Sequence, residues 1–255
     1  ASRHKRVALE MGGKNAILVM EDADVELAVD GIIWSAFGTT GQRCTACSRL
    51  IVHRDVKERL TRMLLNRMAK LCVGNGLKPG IDIGPLVNQT QLEKVQQYVQ
   101  VGQEEGARLL TGGKALSGGE YARGHFFAPT LFDHVKPAMR IAREEIFGPV
   151  LGMIEVKDLD EAIAINNDVE YGLSSSFYTR DINRAQRAIR DIQTAVVYIN
   201  AGTIGSEVHL PFGGMRRTGN GHREAGQAAL DTFSEWKTIY VDYSGRLQRA
   251  QIDKE

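Results

Sequence analysis

Apolar residues along this chain recur in two alternating rhythms. Short β-rich runs at residues 16–20, 50–53, 109–110, 150–156, 174–178 and 195–199 read as strands. Between them the apolar positions fall at helical spacing. Val25, Ala28, Ile32 and Ala36 share one face behind a capping Asp22 or Asp24. Val56, Leu60, Met63, Leu64 and Leu71 follow Asp55 and Glu58, a capping-box-like start. Leu92, Val95 and Val99 mark a helix over residues 91–105 that Gly106 stops, and further helices are expected over 159–166 and 182–192. The arginines of the last one read as a solvated face. Residues 6–11 and 126–131 read as extended, with Pro129 suited to an edge. Gly74, Gly76, Pro79 and Gly80 mark a loop, and the glycine pairs at 112–113 and 118–119 mark turns. Strands alternating with helices predict an α/β fold, a mainly parallel sheet flanked by helices with right-handed crossovers. The last alternating run, residues 237–243, has no neighbouring strand in sequence and is expected to seek one on another chain.

The 255 residues suffice for one substantial core or two smaller ones. With 32 basic and 31 acidic residues the net charge is +1, and no basic block stands out, so neither nucleic acid nor an anionic membrane is an expected partner. No apolar run is long enough to span a bilayer, and residues 1–6 precede no apolar signal segment, so a cytoplasmic protein is expected. Three irregularly spaced cysteines argue for a reducing compartment and against a disulfide framework.

One of those cysteines carries the candidate chemistry. Cys44 stands just past a turn punctuated by Gly38 and Gly41, between a helical pattern and a strand. Together with Cys47 it forms a C-x-x-C, which opens a redox-dithiol or zinc-binding alternative. The third cysteine, Cys72, lies in a helical pattern, and no histidine pair stands at metal-ligand spacing, so Cys47 and Cys72 are expected to be packed residues. A nucleophilic thiol needs an activating partner. Glu10, ahead of Gly12 and Gly13, is either a general base or a solvated strand-end carboxylate. The five glycines of residues 213–226 lack a strand-glycine-helix setting and are not a dinucleotide fingerprint. They are expected to allow tight packing beside the thiol.

Four segments together resemble the aldehyde dehydrogenase superfamily: LEMGGKN at 9–15, GQRCTACSR at 41–49, EEIFGPV at 144–150 and PFGGMRRTGNGHREAG at 211–226. Residues 172–178, 201–209 and 242–244 look most similar to semialdehyde dehydrogenases of the antiquitin and ketoglutaric kind, although Lys14 follows the general family and not antiquitin.

The resemblance implies NAD(P)-dependent oxidation of an aldehyde, a semialdehyde being the narrower expectation, through a thiohemiacetal and a thioester on Cys44 with Glu10 as base. It assigns NAD or NADP to Met11, Gly12, Glu145 (ribose hydroxyls) and Phe147, and the aldehyde to Thr45, Gly202 and Thr203, with residues 200–208 lining substrate access. It divides the chain into a remnant of the cofactor-binding domain (1–12), the catalytic α/β domain (13–212), a segment near the active site (213–236) and an oligomerisation strand with its tail (237–255), and it implies a homo-oligomer. The match starts about halfway through a family member. The pyrophosphate site and an asparagine oxyanion donor are thus expected outside this chain, which alone is not expected to act as a dehydrogenase. The rival expectations are a non-catalytic assembly module and the C-x-x-C protein.

Overall fold

A computed structural model describes residues 5–246. In chain order the elements are β1 (Asn15–Val19), α1 (Val25–Phe37), β2 (Cys47–His53), α2 (Arg54–Met68), α3 (Gln89–Glu104), β3 (Arg108–Thr111), β4 (Ala115–Leu116), β5 (Phe126–Phe127), β6 (Thr130–Asp133), α4 (Arg140–Arg143), β7 (Val150–Val156), α5 (Leu159–Asn167), β8 (Tyr171–Gly172), β9 (Ser174–Tyr178), α6 (Ile182–Asp191), β10 (Val196–Ile199), β11 (Met215–Arg216) and α7 (Ala228–Phe233). Seven strands form the main sheet in the order β10-β9-β1-β2-β7-β6-β3. Every neighbouring pair in it is parallel except β3 with β6. The mainly parallel α/β architecture is the one expected from the alternation of periodicities.

Side-chain alternation explains how the sheet is buried on both faces. Ile17, Val19, Leu50 and Val52 pack toward α1 and α2, with Ala28, Ile32, Ala36, Leu60 and Leu64 opposite them. Ala16, Leu18 and Ile51 point the other way, onto Ala162, Ile163, Ala188 and Ile192 of α5, α6 and the residue after α6. A third cluster, including Val95, Val99, Phe132 and Ile141, lies under α3 and α4.

Local capping refines several expected boundaries. Asp24 caps α1 by accepting from Leu27 N–H at 3.2 Å. Asp22 instead accepts from Thr179 Oγ1 and the N–H groups of Arg180 and Asp181, tying the turn after β9 to the turn after β1. Asp55 does not start α2: His53 is the cap, its Nδ1 accepting from Asp55 N–H, so Asp55 sits in the first turn. The helix ends at Met68, which leaves Leu71 and Cys72 beyond it, and Cys72 is exposed rather than packed. Residues 6–11 form no strand, only an isolated bridge at Glu10. Residues 237–243 take no strand partner among the described residues, and Trp236, Tyr240 and Tyr243 are exposed. The outer parts of the expected 1–12 and 237–255 segments, residues 1–4 and 247–255, lie outside the described residues.

Two buried polar groups position the strands that matter below. The Arg49 guanidinium, 2 % exposed, donates to the carbonyls of Lys14 (2.9 Å), Ile165 (2.9 Å) and Asn166 (3.1 Å), so it links β2 to the chain entering β1 and to the C-terminal turn of α5. The polar strand β9 is buried because each serine hydroxyl has a partner: Ser174 donates to Thr203 O, Ser175 to Asn166 Oδ1 and Ser176 to Ala201 O. Replacing Arg49 by Met strands three buried carbonyls and is expected to cost about 3 kcal/mol, seen as a lower urea midpoint; an unchanged midpoint would show that the guanidinium contributes no net stability.

Candidate functional site

The candidate residues gather at one edge of the sheet because its central strands are parallel. Residues 10–14 lead into β1, residues 38–46 into β2 and residues 144–149 into β7, and these three strands are adjacent. Their preceding loops therefore emerge side by side at the amino ends of the strands.

Glycines let the loops approach. A side chain at Gly12 would overlap the Glu145 carboxylate, and a Cβ at Gly13 would lie 2.6 Å from the Cys44 carbonyl oxygen. Gly13 N–H donates to Glu145 Oε1 at 2.8 Å. Gly41, at φ +66°, lies so close to the Gly148 carbonyl that a Cβ there would overlap it. The turn before Cys44 is further held by Thr40 Oγ1 donating to Gly84 O (3.1 Å) and by Gln42, which donates to Pro85 O and accepts from Val87 N–H. Phe147, at φ +61°, is steadied by Gln91, whose Nε2 donates to the carbonyls of Ile146 and Phe147 at 2.8 and 2.9 Å. Gln42 stands inside one sequence motif without any assigned role, and Gln91 lies outside all four, with no local signal to mark it.

The two motif cysteines have different surroundings. Cys44 is half-buried, and burial is the main cause lifting its thiol above the ordinary range. The backbone N–H groups of Thr45 and Cys44 oppose that shift, while the negative charges of Glu10 and Glu145 add to it. Cys47 is buried in β2, donates from Sγ to Arg49 O at 3.3 Å, and burial pushes its thiol up to about 12. Cys47 is thus the packed residue its sequence context suggested, and of the two motif cysteines Cys44 is the accessible one.

Glu10 is exposed and its backbone bridges Gly219, with Met11 N–H donating to Thr218 O at 2.9 Å. Partial desolvation, then the charge of Glu224, raise its carboxyl above the usual range; Arg223 opposes them. Glu224 has no place among the expected site residues, yet its charge reaches Glu10. The glycine-rich segment packs on residues 9–11 through these contacts, and a Cβ at Gly213 would lie 3.1 Å from Glu10 Oε1. Its documented contacts are therefore with the carboxylate side of the site. The residues assigned to the aldehyde are enclosed: Thr45 and Thr203 are buried, and a Cβ at Gly202 would lie 2.5 Å from Ser35 Oγ.

Lys14 is the least expected member of this region. It is 2 % exposed, and its Nζ has no hydrogen-bond partner among the described residues. Burial, then the positive charge of Arg49, lower its pKa to about 7, against smaller opposing effects of Glu145, Cys47 and Glu144.

With this geometry established, known proteins can be set beside it. The model described as "Aldehyde dehydrogenase family" matches residues 1–239. The chain is 43 % identical to an alpha-ketoglutaric semialdehyde dehydrogenase of Bacillus subtilis (strain 168), over 94 % of this chain and 49 % of that protein. A crystal structure of an NAD-dependent aldehyde dehydrogenase from Sinorhizobium meliloti superposes with a TM-score of 0.91 at 37 % identity, covering 97 % of this chain and 48 % of the other. A betaine aldehyde dehydrogenase point mutant from Staphylococcus aureus in complex with NAD+ gives a TM-score of 0.90 at 33 % identity, covering 96 % and 49 %. The chain spans about half the length of the curated relatives it matches.

The buried amine gives a signed pH dependence. An unfolded Lys14 holds its proton up to about 10.5, whereas the folded one releases it near 7. Unfolding therefore takes up a proton in that window, and stability rises with pH there. Denaturant titrations of wild type and Lys14→Met from pH 7 to 9 are expected to show the wild type gaining stability relative to the variant; parallel curves would mean that the amine does not titrate in this range.

Proposed function

Because the chain belongs to the aldehyde dehydrogenase family, we propose that the protein carrying it oxidises an aldehyde to the carboxylic acid with NAD or NADP, using Cys44 as nucleophile and Glu10 as base. The observation that carries this reading is the meeting of a half-buried thiol, a carboxylate of raised pKa and the Glu145–Gly13 contact at one edge of the sheet.

Each residue type suits its step. Cys44 Sγ, once deprotonated, attacks the carbonyl carbon, and the oxygen takes the charge as the tetrahedral thiohemiacetal forms. The backbone N–H of Cys44 offers one donor for that oxygen. A bound nicotinamide supplies the hydride acceptor that converts this adduct into a thioester. Glu10 then removes a proton from water, the hydroxide adds to the thioester carbon, and the Cys44 thiolate leaves with release of the acid. Among the described residues Glu10 makes no hydrogen bond to Cys44, which suits a base that acts through water. Its raised pKa brings it nearer to neutral working pH. Glu145 fits a ribose: it is an acceptor-only group, fixed by one backbone N–H, and vicinal hydroxyls are donors. Phe147, in the same loop, would pack near the nicotinamide, and Met11 and Gly12 would border it.

The family relatives support two narrower substrate classes, a semialdehyde at 43 % identity and a betaine-type aldehyde at 42 %; the segments 172–178 and 201–209 that resemble semialdehyde dehydrogenases favour the first. Comparison of kcat/KM for the two classes decides between them.

In the complete enzyme Cys44→Ser is expected to lower turnover by more than about a thousandfold, while Cys47→Ser leaves most of it. Equal losses would favour a working dithiol. Assembly is the second part of the proposal: Trp236, Ile239, Tyr240, Val241 and Tyr243 are exposed along one extended run, which would gain a partner strand from another subunit. Deleting residues 237–255 is expected to reduce the particle mass in light scattering, and an unchanged mass would refute that assignment.

A further inference from the structure

Three consecutive carbonyls of the nucleophile loop are each held by a side chain from a distant part of the chain. Asn15 Nδ2 donates to Cys44 O at 2.7 Å and to Ala46 O at 2.9 Å. Thr203 Oγ1 donates to the carbonyl between them, Thr45 O, at 2.7 Å. The two holders are themselves joined through Ser174, whose N–H donates to Asn15 Oδ1 (3.1 Å) and whose hydroxyl donates to Thr203 O (3.2 Å). Thr203 N–H is in turn anchored on Ser35 Oγ of α1 at 3.0 Å. The result is a closed hydrogen-bonded ring in which Asn15, Ser174 and Thr203 are all buried, the last two completely.

Such a ring would be expected wherever a buried loop must satisfy its carbonyls, but its placement does more here. Cys44 O and Thr45 N–H belong to one planar peptide unit and point in opposite directions. Holding the oxygen on Asn15 therefore fixes the direction of Thr45 N–H, one of the two backbone donors that hold the Cys44 thiol's pKa down. Holding Thr45 O on Thr203 fixes the next unit, whose N–H on Ala46 donates to Arg43 O at 3.0 Å and closes the turn around Cys44. Gly13 completes the cradle, since any side chain there would meet Cys44 O.

We infer that Asn15 and Thr203 are positioning residues for the nucleophile, acting through the two peptide planes that follow Cys44 to fix the backbone that carries its sulfur and the direction of Thr45 N–H. This assigns Thr203 to the support of Cys44 and not to aldehyde contact. It rests on Cys44 being the reactive thiol.

The test measures alkylation of Cys44 by iodoacetamide as a function of pH, by peptide mass spectrometry, in the complete protein with exposed Cys72 changed to Ser. Asn15→Ala removes both bonds to the loop. Thr203→Val removes one at nearly constant volume, and Thr203→Ser restores the hydroxyl. Losing the Thr45 N–H from the sulfur is expected to move the alkylation midpoint upward, by about one pH unit in Asn15→Ala and by less in Thr203→Val, with Thr203→Ser at the wild-type value. Alongside, kcat per folded molecule is expected to fall about 10- to 100-fold with a smaller change in KM. If Asn15→Ala does not fold, the Thr203 pair alone decides. Midpoints equal to wild type in the folded variants overturn the inference, because a purely structural ring would lower stability and leave the thiol alone. The proposed function stands or falls separately, on whether Cys44→Ser abolishes turnover.

Discussion

The parallel seating of β1 between β2 and β9 is the constraint on which the rest depends. Its first rung sets Asn15 beside Cys47, and the register with β9 continues from Ala16 opposite Ser175. Parallel strands all begin at the same edge, so seating β1 also brings the loop before each neighbour to one place. Hydrophobic burial on both faces fixes that seating, with Ile17 and Leu18 fully enclosed on opposite sides. The loops contribute little apolar area of their own. They are located by strands whose stability comes from elsewhere, which leaves loop residues free to be chosen for chemistry.

Much of the fold was legible because the two periodicities are strong. The strand at Val150–Val156 and the α1 face of Val25, Ala28, Ile32 and Ala36 follow directly from apolar spacing. The start of α2 was not, since Asp55 and Glu58 imitate a cap while His53 supplies it by a ring nitrogen. Cys72 was misjudged because Leu71 prolongs the apolar rhythm past the real helix end. Of the site, Cys44, Glu10 and Glu145 were visible as motif residues. The supporting roles were not: Asn15 stood in a motif without an assignment, Thr203 was assigned to the aldehyde, and Gln91 and Ser174 carried no assignment, because hydrogen bonds to backbone atoms far away in sequence leave no periodic trace. The edge of the sheet was also beyond sequence reading. The familiar expectation for open parallel sheets puts ligands at the carboxyl ends of the strands, whereas these residues gather at the amino ends.

Charge is distributed unusually across that edge. Arg49 and Lys14 are both buried there, and the hydrogen bonds of Arg49 end on carbonyl oxygens instead of carboxylates. Neutral acceptors spread its charge without cancelling it, so that charge adds to burial, the main cause, in pushing the adjacent amine toward its uncharged form. Among the described residues Glu145 is then held by a peptide N–H and not by a salt bridge. A carboxylate held in this way keeps more of its acceptor capacity for a ligand than one locked to a guanidinium.

The raised pKa of Cys44 has a consequence for survival in a cell. Hydrogen peroxide oxidises thiolates far faster than thiols, and the first product, a sulfenic acid, leads on to irreversible acids. Burial, with the charges of Glu10 and Glu145, shifts Cys44 toward the thiol, the form that peroxide attacks slowly. Under the proposed function, the same surroundings that restrain Cys44 as a nucleophile at rest also disfavour its oxidation.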